Sequence, residues 1–304
     1  MDELQLSIIV AFKNMRREAP RTLHTLSSKY QLDVQADDYE VIAVDIASEP
    51  PMDQGEVESY GKNFYLTYTA DNPSPAKGIN TAARQARGKA IAICIDGARM
   101  LSPGIIGHTL RALKAFRNPV VATLAWHLGP AIQNKSMMHG YNQQEEDMLL
   151  ASVDWTSNGY ELFRISTLAG SSSQGFFCPI SESNFITVRR ELWEEIEGLD
   201  ERFQSPGGGL VNLDYYKRAC REDTELVAIL GEGTFHQFHG GVATNVPKEK
   251  HPWATFENEY KKLRGYSYRS PSPKTFYIGG APPQVAPFLT HSAARLSAHT
   301  ESLK

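Results

Sequence analysis

The chain has 304 residues, 41% of them hydrophobic and 22% charged, enough for one large α/β domain or two smaller ones. Thirty-one Lys and Arg against 35 Asp and Glu give a net charge of −4 without a long single-sign block, which argues against nucleic acid as a partner because phosphate contacts need clustered positive charge. Cys94, Cys178 and Cys220 lack metal spacing and are too few for a disulfide framework; the acidic start and apolar runs far below the ~18 residues of a membrane span predict a cytoplasmic protein.

In chain order, Leu6–Phe12 is a short branched apolar run that reads as a buried strand, and Ala19, Leu23, Leu26 and Tyr30 follow at helical spacing. Tyr39–Asp45 and Asn63–Thr69 read as the second and third strands. Ser74-Pro75 starts a helix that Gly88 stops, since serine caps free amides and proline fits the first turn. Lys89–Ile95 is a fourth strand, Ser102-Pro103 opens another helix, and Pro119–Trp126 is a fifth strand. Strands alternating with helices of about a dozen residues predict a mostly parallel central sheet with helices on both faces.

Further on, Gln143–Ala151 reads as a polar helix, and the loop Ala169–Gly175 is expected to be mobile or held by a ligand. Asn184–Val188 is a strand, Arg189–Glu197 a helix closed by Gly198, Leu210–Arg221 a helix after three glycines, and Leu226–Leu230 a strand. The proline-rich end reads as a tail packed over the domain or partly disordered. The expected organisation is a domain over 1–241, with a nucleotide-binding half (1–126) and an acceptor-binding half (127–241), and a C-terminal extension over 242–304.

Open parallel sheets bind ligands at the carboxyl ends of their strands. Four features fall there: Ala11, Phe12, Lys13, Asn14 and Arg16 after the first strand, Asp45 ending the second, Asp96-Gly97 ending the fourth, and the polar stretch 72–80 with Asn80 at the start of the intervening helix. Together they offer acceptors for a base or ribose, and cations and amides for phosphate. Taken singly, each also reads as a helix cap or a solvated charge.

In its pieces and their order, the sequence resembles the family-2 glycosyltransferases of the GT-A fold over roughly residues 5–240. Leu6-Ser-Ile-Ile-Val-Ala-Phe-Lys-Asn14 is similar to the family's opening strand, and Tyr39-Glu-Val-Ile-Ala-Val-Asp45-Ile-Ala-Ser48 to its "EIIVVDDGS" strand. Gly78-Ile-Asn80-x-Ala82-x3-Ala86-x-Gly88 resembles the "ARNxGxxxAxG" helix, and Phe185–Trp193 with Gly198–Phe203 the "RRxxFxxxGxFDExF" segment. The resemblance implies a Rossmann-like α/β fold and transfer of a sugar from a nucleotide-diphosphate sugar to an acceptor, whether glycan, lipid-linked or small molecule. Asp45 then contacts the base, Lys13 and Arg16 lie near ribose or phosphates, and Asp96 holds the ribose or a divalent metal, Mn²⁺ or Mg²⁺.

Two departures from the family pattern bear on the chemistry. The metal motif DxD reads Asp96-Gly97-Ala98, so one carboxylate is missing, and His236 in Thr234-Phe-His-Gln-Phe-His239 is the expected substitute ligand. In a straight strand, residues three apart point to opposite faces, so a single histidine is expected to ligate unless the segment turns. The catalytic "ED" pair falls on Val211-Asn212, and an amide is no general base. Asp214 and Glu182 are the remaining carboxylates near the acceptor, with Asp214 equally readable as an i,i+4 partner of Arg218. A catalytically inactive nucleotide-sugar-binding relative is the alternative, and a sugar nucleotidyltransferase ranks last because the loop after the first strand has no glycine. Oligomeric state stays open, the tail being suited to clasp a second subunit in a homodimer.

Overall fold

The computed structural model describes residues 4–302. The strands are β1 (Leu6–Phe12), β2 (Tyr39–Ile46), β3 (Phe64–Thr69), β4 (Ala90–Cys94), β5 (Arg99–Leu101), β6 (Pro119–Leu128), β7 (Ser166–Leu168), β8 (Phe185–Arg189), β9 (Glu225–His236) and β10 (Thr275–Gly279). The helices are α1 (Ala19–Leu26), α2 (Gln54–Glu58), α3 (Ala76–Gln85), α4 (Ile105–Ala115), α5 (Gln133–Ser136), α6 (Gln143–Ala151), α7 (Arg190–Glu195), α8 (Val211–Ala219), α9 (Trp253–Arg264) and α10 (Ala286–Ser302).

All ten strands join one sheet in the order β10-β9-β6-β8-β4-β1-β2-β3, with β5 beside β9 and β7 beside β6. Neighbours β1, β2, β3 and β4 pair in parallel, as do β6, β9 and β10; β8 enters antiparallel between β4 and β6. The alternation within β1 explains the layering. Ile9 and Ala11 join a core with α3, α8 and the C-terminal helices, whereas Ile8, Val10 and Phe12 join a second core with α1 and α4. A strand buried on both faces is a nearly continuous apolar run, and all seven β1 residues are buried, the one polar member Ser7 donating its hydroxyl to Glu40 Oε1 (2.6 Å). This is the predicted mostly parallel sheet with helices on both faces.

Strand order reverses at β1, with β2 on one side and β4 on the other. Such a switch point opens a crevice at the carboxyl edge, because the outgoing connections leave for opposite faces. The ends of β1, β2 and β4 therefore place Phe12, Asp45 and Asp96 side by side at one edge.

Several expectations are corrected. The loop expected to be mobile or ligand-held is held by protein: Ala125 N donates to Ser172 Oγ (2.9 Å), Ala169 N to Ala125 O (2.9 Å) and Phe176 N to Ser292 Oγ (2.9 Å). Of the two readings of the proline-rich end, the packed one holds: it supplies α9, an edge strand paired in parallel with β9, and α10, whose Phe288 packs edge-on against Trp126 at 5.4 Å between ring centroids. The strand read as 226–230 runs on to His236, which sequence periodicity hid because Gly231 and Gly233 interrupt the apolar run.

Candidate active site

Asp96 lies two residues past β4, and a tight loop sets its position. Gly97 N donates to Ala11 O (2.8 Å), Gly97 O accepts from Thr22 Oγ1 (2.6 Å), and Ala98 N donates to Asp96 Oδ1 (3.0 Å). A Cβ on residue 97 would stand 2.2 Å from the Phe12 ring and 2.8 Å from Ala11 O, so only glycine lets this loop lie against β1. The remaining oxygen, Asp96 Oδ2, faces His236 Nε2 at 3.0 Å and His239 Nε2 at 3.6 Å. The ligating atoms of these three residues lie within 4.8 Å of one another.

Both histidines reach Asp96 because β9 ends at His236 and the chain turns, which removes the opposite-face constraint of a straight strand. Asn245 Oδ1 fixes the turn by accepting the amides of His239 (3.2 Å), Gly240 (3.1 Å) and Gly241 (3.1 Å). Two histidines, where one was expected, thus face Asp96.

Hydrogen bonding assigns the His236 tautomer. Gln133 Nε2 donates to His236 O (2.8 Å) and Gln133 Oε1 accepts from Asn245 Nδ2 (3.0 Å), so Oε1 is an acceptor and His236 Nδ1, 2.7 Å away, carries the proton. His236 Nε2 then presents a lone pair to Asp96. Burial drives this imidazole down to about 4 despite the contact with Asp96, with the charge of Arg99 adding to the effect, so the ring is neutral near pH 7. Burial pushes the Asp96 carboxyl up, but the charge of His239 and its hydrogen bond outweigh that and hold the group well below the usual carboxylate range. Two electron-pair donors facing each other at 3.0 Å, one of them backed by a glutamine, match the way metal-binding histidines are held. One carboxylate and two imidazoles fit Mn²⁺ better than Mg²⁺, which takes oxygen ligands.

Other sequence-predicted residues take different positions. Asp45 is fully buried at the end of β2, and its carboxylate accepts the amides of Ser48 (3.0 Å) and Met52 (2.8 Å), so it shapes the loop after β2. That loop is tied to the one after β1, where Asn14 N donates to Ser48 Oγ (2.9 Å) and Glu49 N to Asn14 Oδ1 (2.8 Å). Two strand spacings put the backbones of Asp45 and Asp96 roughly 10 Å apart, on either side of β1. Ala11 and Phe12 are buried; Lys13 is exposed and paired with Asp71; Arg16 is exposed beside a cleft of about 110 Å³ lined also by Asn14, Ser48 and Met52. Asn80 holds the chain near α7, receiving Leu199 N (3.0 Å) and donating to Leu199 O (2.8 Å).

The two carboxylates expected on the acceptor side differ sharply. Asp214 is 1% exposed and clamped: Arg218 Nε (2.7 Å) and Arg264 Nε and Nη2 (2.7 Å each) donate to its two oxygens. Glu182 is half-buried and makes no hydrogen bond or ion pair among the described residues. It precedes β8, whose Phe185 pairs with Cys94, and Ile95 N donates to Asn184 O (3.4 Å), so Glu182 stands at the same sheet edge as Asp96. Trp126, weighed as a sugar-stacking residue, is fully buried among Phe163, Phe176, Phe235 and Phe288. A larger cavity of about 540 Å³ lies elsewhere, lined by Asn80, Arg84, Asp200, Arg218 and Arg264, and does not include Asp96 or either histidine.

Sequence reading did not single out Gln133, Asn245 or Arg99. Arg99 is 6% exposed, and its Nε and Nη1 have no hydrogen-bond partner. The one signal for it was an arginine in an otherwise apolar interior strand, three residues after Asp96.

No profile of a known protein family matches the sequence, and no curated protein matches it. Among solved structures, TarS 1–349 of S. aureus aligns with 77% of this chain and 60% of its own length, at 16% identity and a TM-score of 0.51. The chain thus spans about 60% of that structure. The same protein in complex with UDP-GlcNAc aligns over 78% of this chain and 60% of its own, at 16% identity and a TM-score of 0.47. A mannosyltransferase from Pyrobaculum calidifontis in complex with GDP-Man and Mn²⁺ aligns over 99% of this chain and 76% of its own, at 18% identity and a TM-score of 0.47. The chain has the GT-A fold, the α/β architecture of nucleotide-sugar transferases.

Proposed function

We propose that this protein is a metal-assisted glycosyltransferase that takes a nucleotide-diphosphate sugar as donor. The observation that carries the reading is the convergence of Asp96, His236 and His239 within 4.8 Å, at the carboxyl edge beside the switch point of a GT-A sheet. Asp96, His236 and His239 would hold a divalent cation, which would supply Lewis-acid stabilisation of charge developing on a departing diphosphate. Gln133 orients His236, and Asn245 holds the turn that carries His239. The loops after β1 and β2 form the nucleoside side, with Asp45 holding the second of them in shape. Glu182, whose carboxylate has no partner among the described residues, would accept the proton of an acceptor hydroxyl; Asp214, neutralised by two guanidiniums, serves the packing of α8 on α9.

Titration with UDP and GDP, with and without Mn²⁺, followed by a donor-hydrolysis assay, tests this reading. Binding strengthened by Mn²⁺, with turnover, is the expected result. His239→Ala is expected to weaken Mn²⁺ binding at least tenfold, as loss of a metal-holding group does. A nucleotide-sugar-binding protein without turnover is the second reading, favoured by the clamped Asp214. Tight binding with no hydrolysis or transfer under any divalent ion selects it. Absence of binding to either diphosphate refutes both.

A further inference from the structure

Arg99 is a buried cation for which the folded chain provides no anion. Its Nε and Nη1 are sealed from solvent without a hydrogen-bond partner, and no carboxylate pairs with it among the described residues. Leaving two guanidinium nitrogens in this state is costly, since they forfeit water and gain no partner in return. Such a charge persists in a stable fold when a ligand completes it.

Register shows where the charge sits. Arg99 on β5 is directly opposite His236 on β9, and His236 is directly opposite His127 on β6. Directly paired residues share a face with Cβ atoms about 5 Å apart, so the three side chains form one row across the sheet, with Asp96 against its middle member. Leu101, two residues on, belongs to the α1 and α4 core, which puts the row on that face at the open end of the sheet. Ala98, where the resemblance expects a second carboxylate, is fully buried and brings no charge. Among the described residues Asp96 is the carboxylate in contact with this row, and Arg99 adds a fixed cation beside it, an arrangement suited to a ligand with more than one negative charge.

We propose that Arg99 binds the diphosphate of the donor and supplies part of the positive charge that faces the leaving group. The inference rests on the reading above and adds a residue and a charge state to it. A planar guanidinium offers two parallel donors to a phosphate, and in a water-excluded site this contact is strong. The diphosphate would pair the guanidinium and relieve its burial cost, so donor binding and relief of an unpaired charge are the same event. Retention of the nucleoside diphosphate then has a component that does not depend on a divalent ion.

Calorimetric titration of wild type, Arg99→Met and Arg99→Lys with UDP, GDP and the matching nucleosides, in EDTA and in Mn²⁺, tests this. Arg99→Met is expected to lose about ten- to a hundredfold in diphosphate affinity in EDTA, the range for a hydrogen bond to a charged group, with nucleoside affinity unchanged and Arg99→Lys intermediate. Its ligand-free thermal midpoint is expected to rise, because an unpaired buried charge is gone. Arg99→Met that binds diphosphate as wild type does overturns the proposal while leaving the glycosyltransferase reading intact. A lowered midpoint with diphosphate and nucleoside affinity reduced equally also overturns it, showing a purely structural arginine. Wild type that binds neither diphosphate, with or without Mn²⁺, removes the broader reading and this one together.

Discussion

Glu182 and Asp214 show how burial and partners decide what a carboxylate can do. Each is a single acidic side chain, yet one has no hydrogen bond or ion pair among the described residues and the other is fixed by three guanidinium contacts. Glu182→Gln is expected to lower turnover by 10²–10⁴-fold, the usual contribution of a positioned base, with nucleoside diphosphate affinity unchanged. Steady-state kinetics with a direct binding measurement check this, and unaltered turnover removes Glu182 from the chemistry. Glu232 is a third case. Burial pushes its carboxyl up to about 7, although Ser102, Tyr160 and the Gly104 amide donate to it, and the buried Tyr30 lies close by. A carboxyl raised on folding is bound to its proton more tightly in the native state. The stability it confers is therefore full below the ordinary carboxylate range and falls as pH rises from about 4.5 to about 7. The shift corresponds to roughly 3 kcal/mol. Urea midpoints at pH 5 and pH 8 are expected to separate in wild type by more than in Glu232→Gln, which lacks this titration.

At the scale of elements, the carboxyl-edge loops and the C-terminal segment hold the fold in ways that strand periodicity does not reveal. Arg264 on α9 reaches Asp214 on α8 and also Asp200 (2.7 Å), so three segments distant in sequence meet at one guanidinium. Asp214→Asn leaves two arginines facing a neutral amide and is expected to destabilise the fold by about 3–5 kcal/mol, read from denaturant unfolding. Turnover corrected for folded fraction should be preserved; a collapse of activity in folded protein would return Asp214 to the active site. The loop at 169–178 is held by Ser292 and by His291, whose Nε2 lies 2.8 Å from Ser173 O, so α10 is part of the wall on that side. No helix among the described residues is long and apolar enough to cross a membrane.

For the whole molecule, ligand and fold are linked by mass action. A nucleoside diphosphate that binds only the native state adds about 2.7 kcal/mol at a hundred times its dissociation constant, a shift of several degrees in thermal midpoint for a chain of this size. The expected pattern is a rise with UDP or GDP that grows in Mn²⁺, and a His239→Ala variant that keeps the first part but loses most of the second. A midpoint insensitive to both nucleotides removes the donor site from this protein.

Local periodicity was enough to reveal β1, β2 and β4, because each is an apolar run buried along its length, and the Ser74-Pro75 start and Gly88 stop were enough to reveal α3. The sheet class followed from their alternation, and the order of motif pieces pointed to the GT-A fold. Asp96 and His236 were legible as candidates from their residue types, and His239 as a partner on the condition that the segment turns; the Gln133 and Asn245 supports and the unpaired Arg99 were not. Asp96 and His236 are 140 positions apart, and no pattern of neighbours in the chain encodes a 3.0 Å meeting across such a gap. The order in which β4, β8, β6 and β9 are laid side by side decides it, together with the turn after β9. Sequence thus determined which chemistries were present, through side-chain types and spacing. Tertiary packing decided which charges found partners, because pairing depends on distance and exclusion of water rather than on position in the chain.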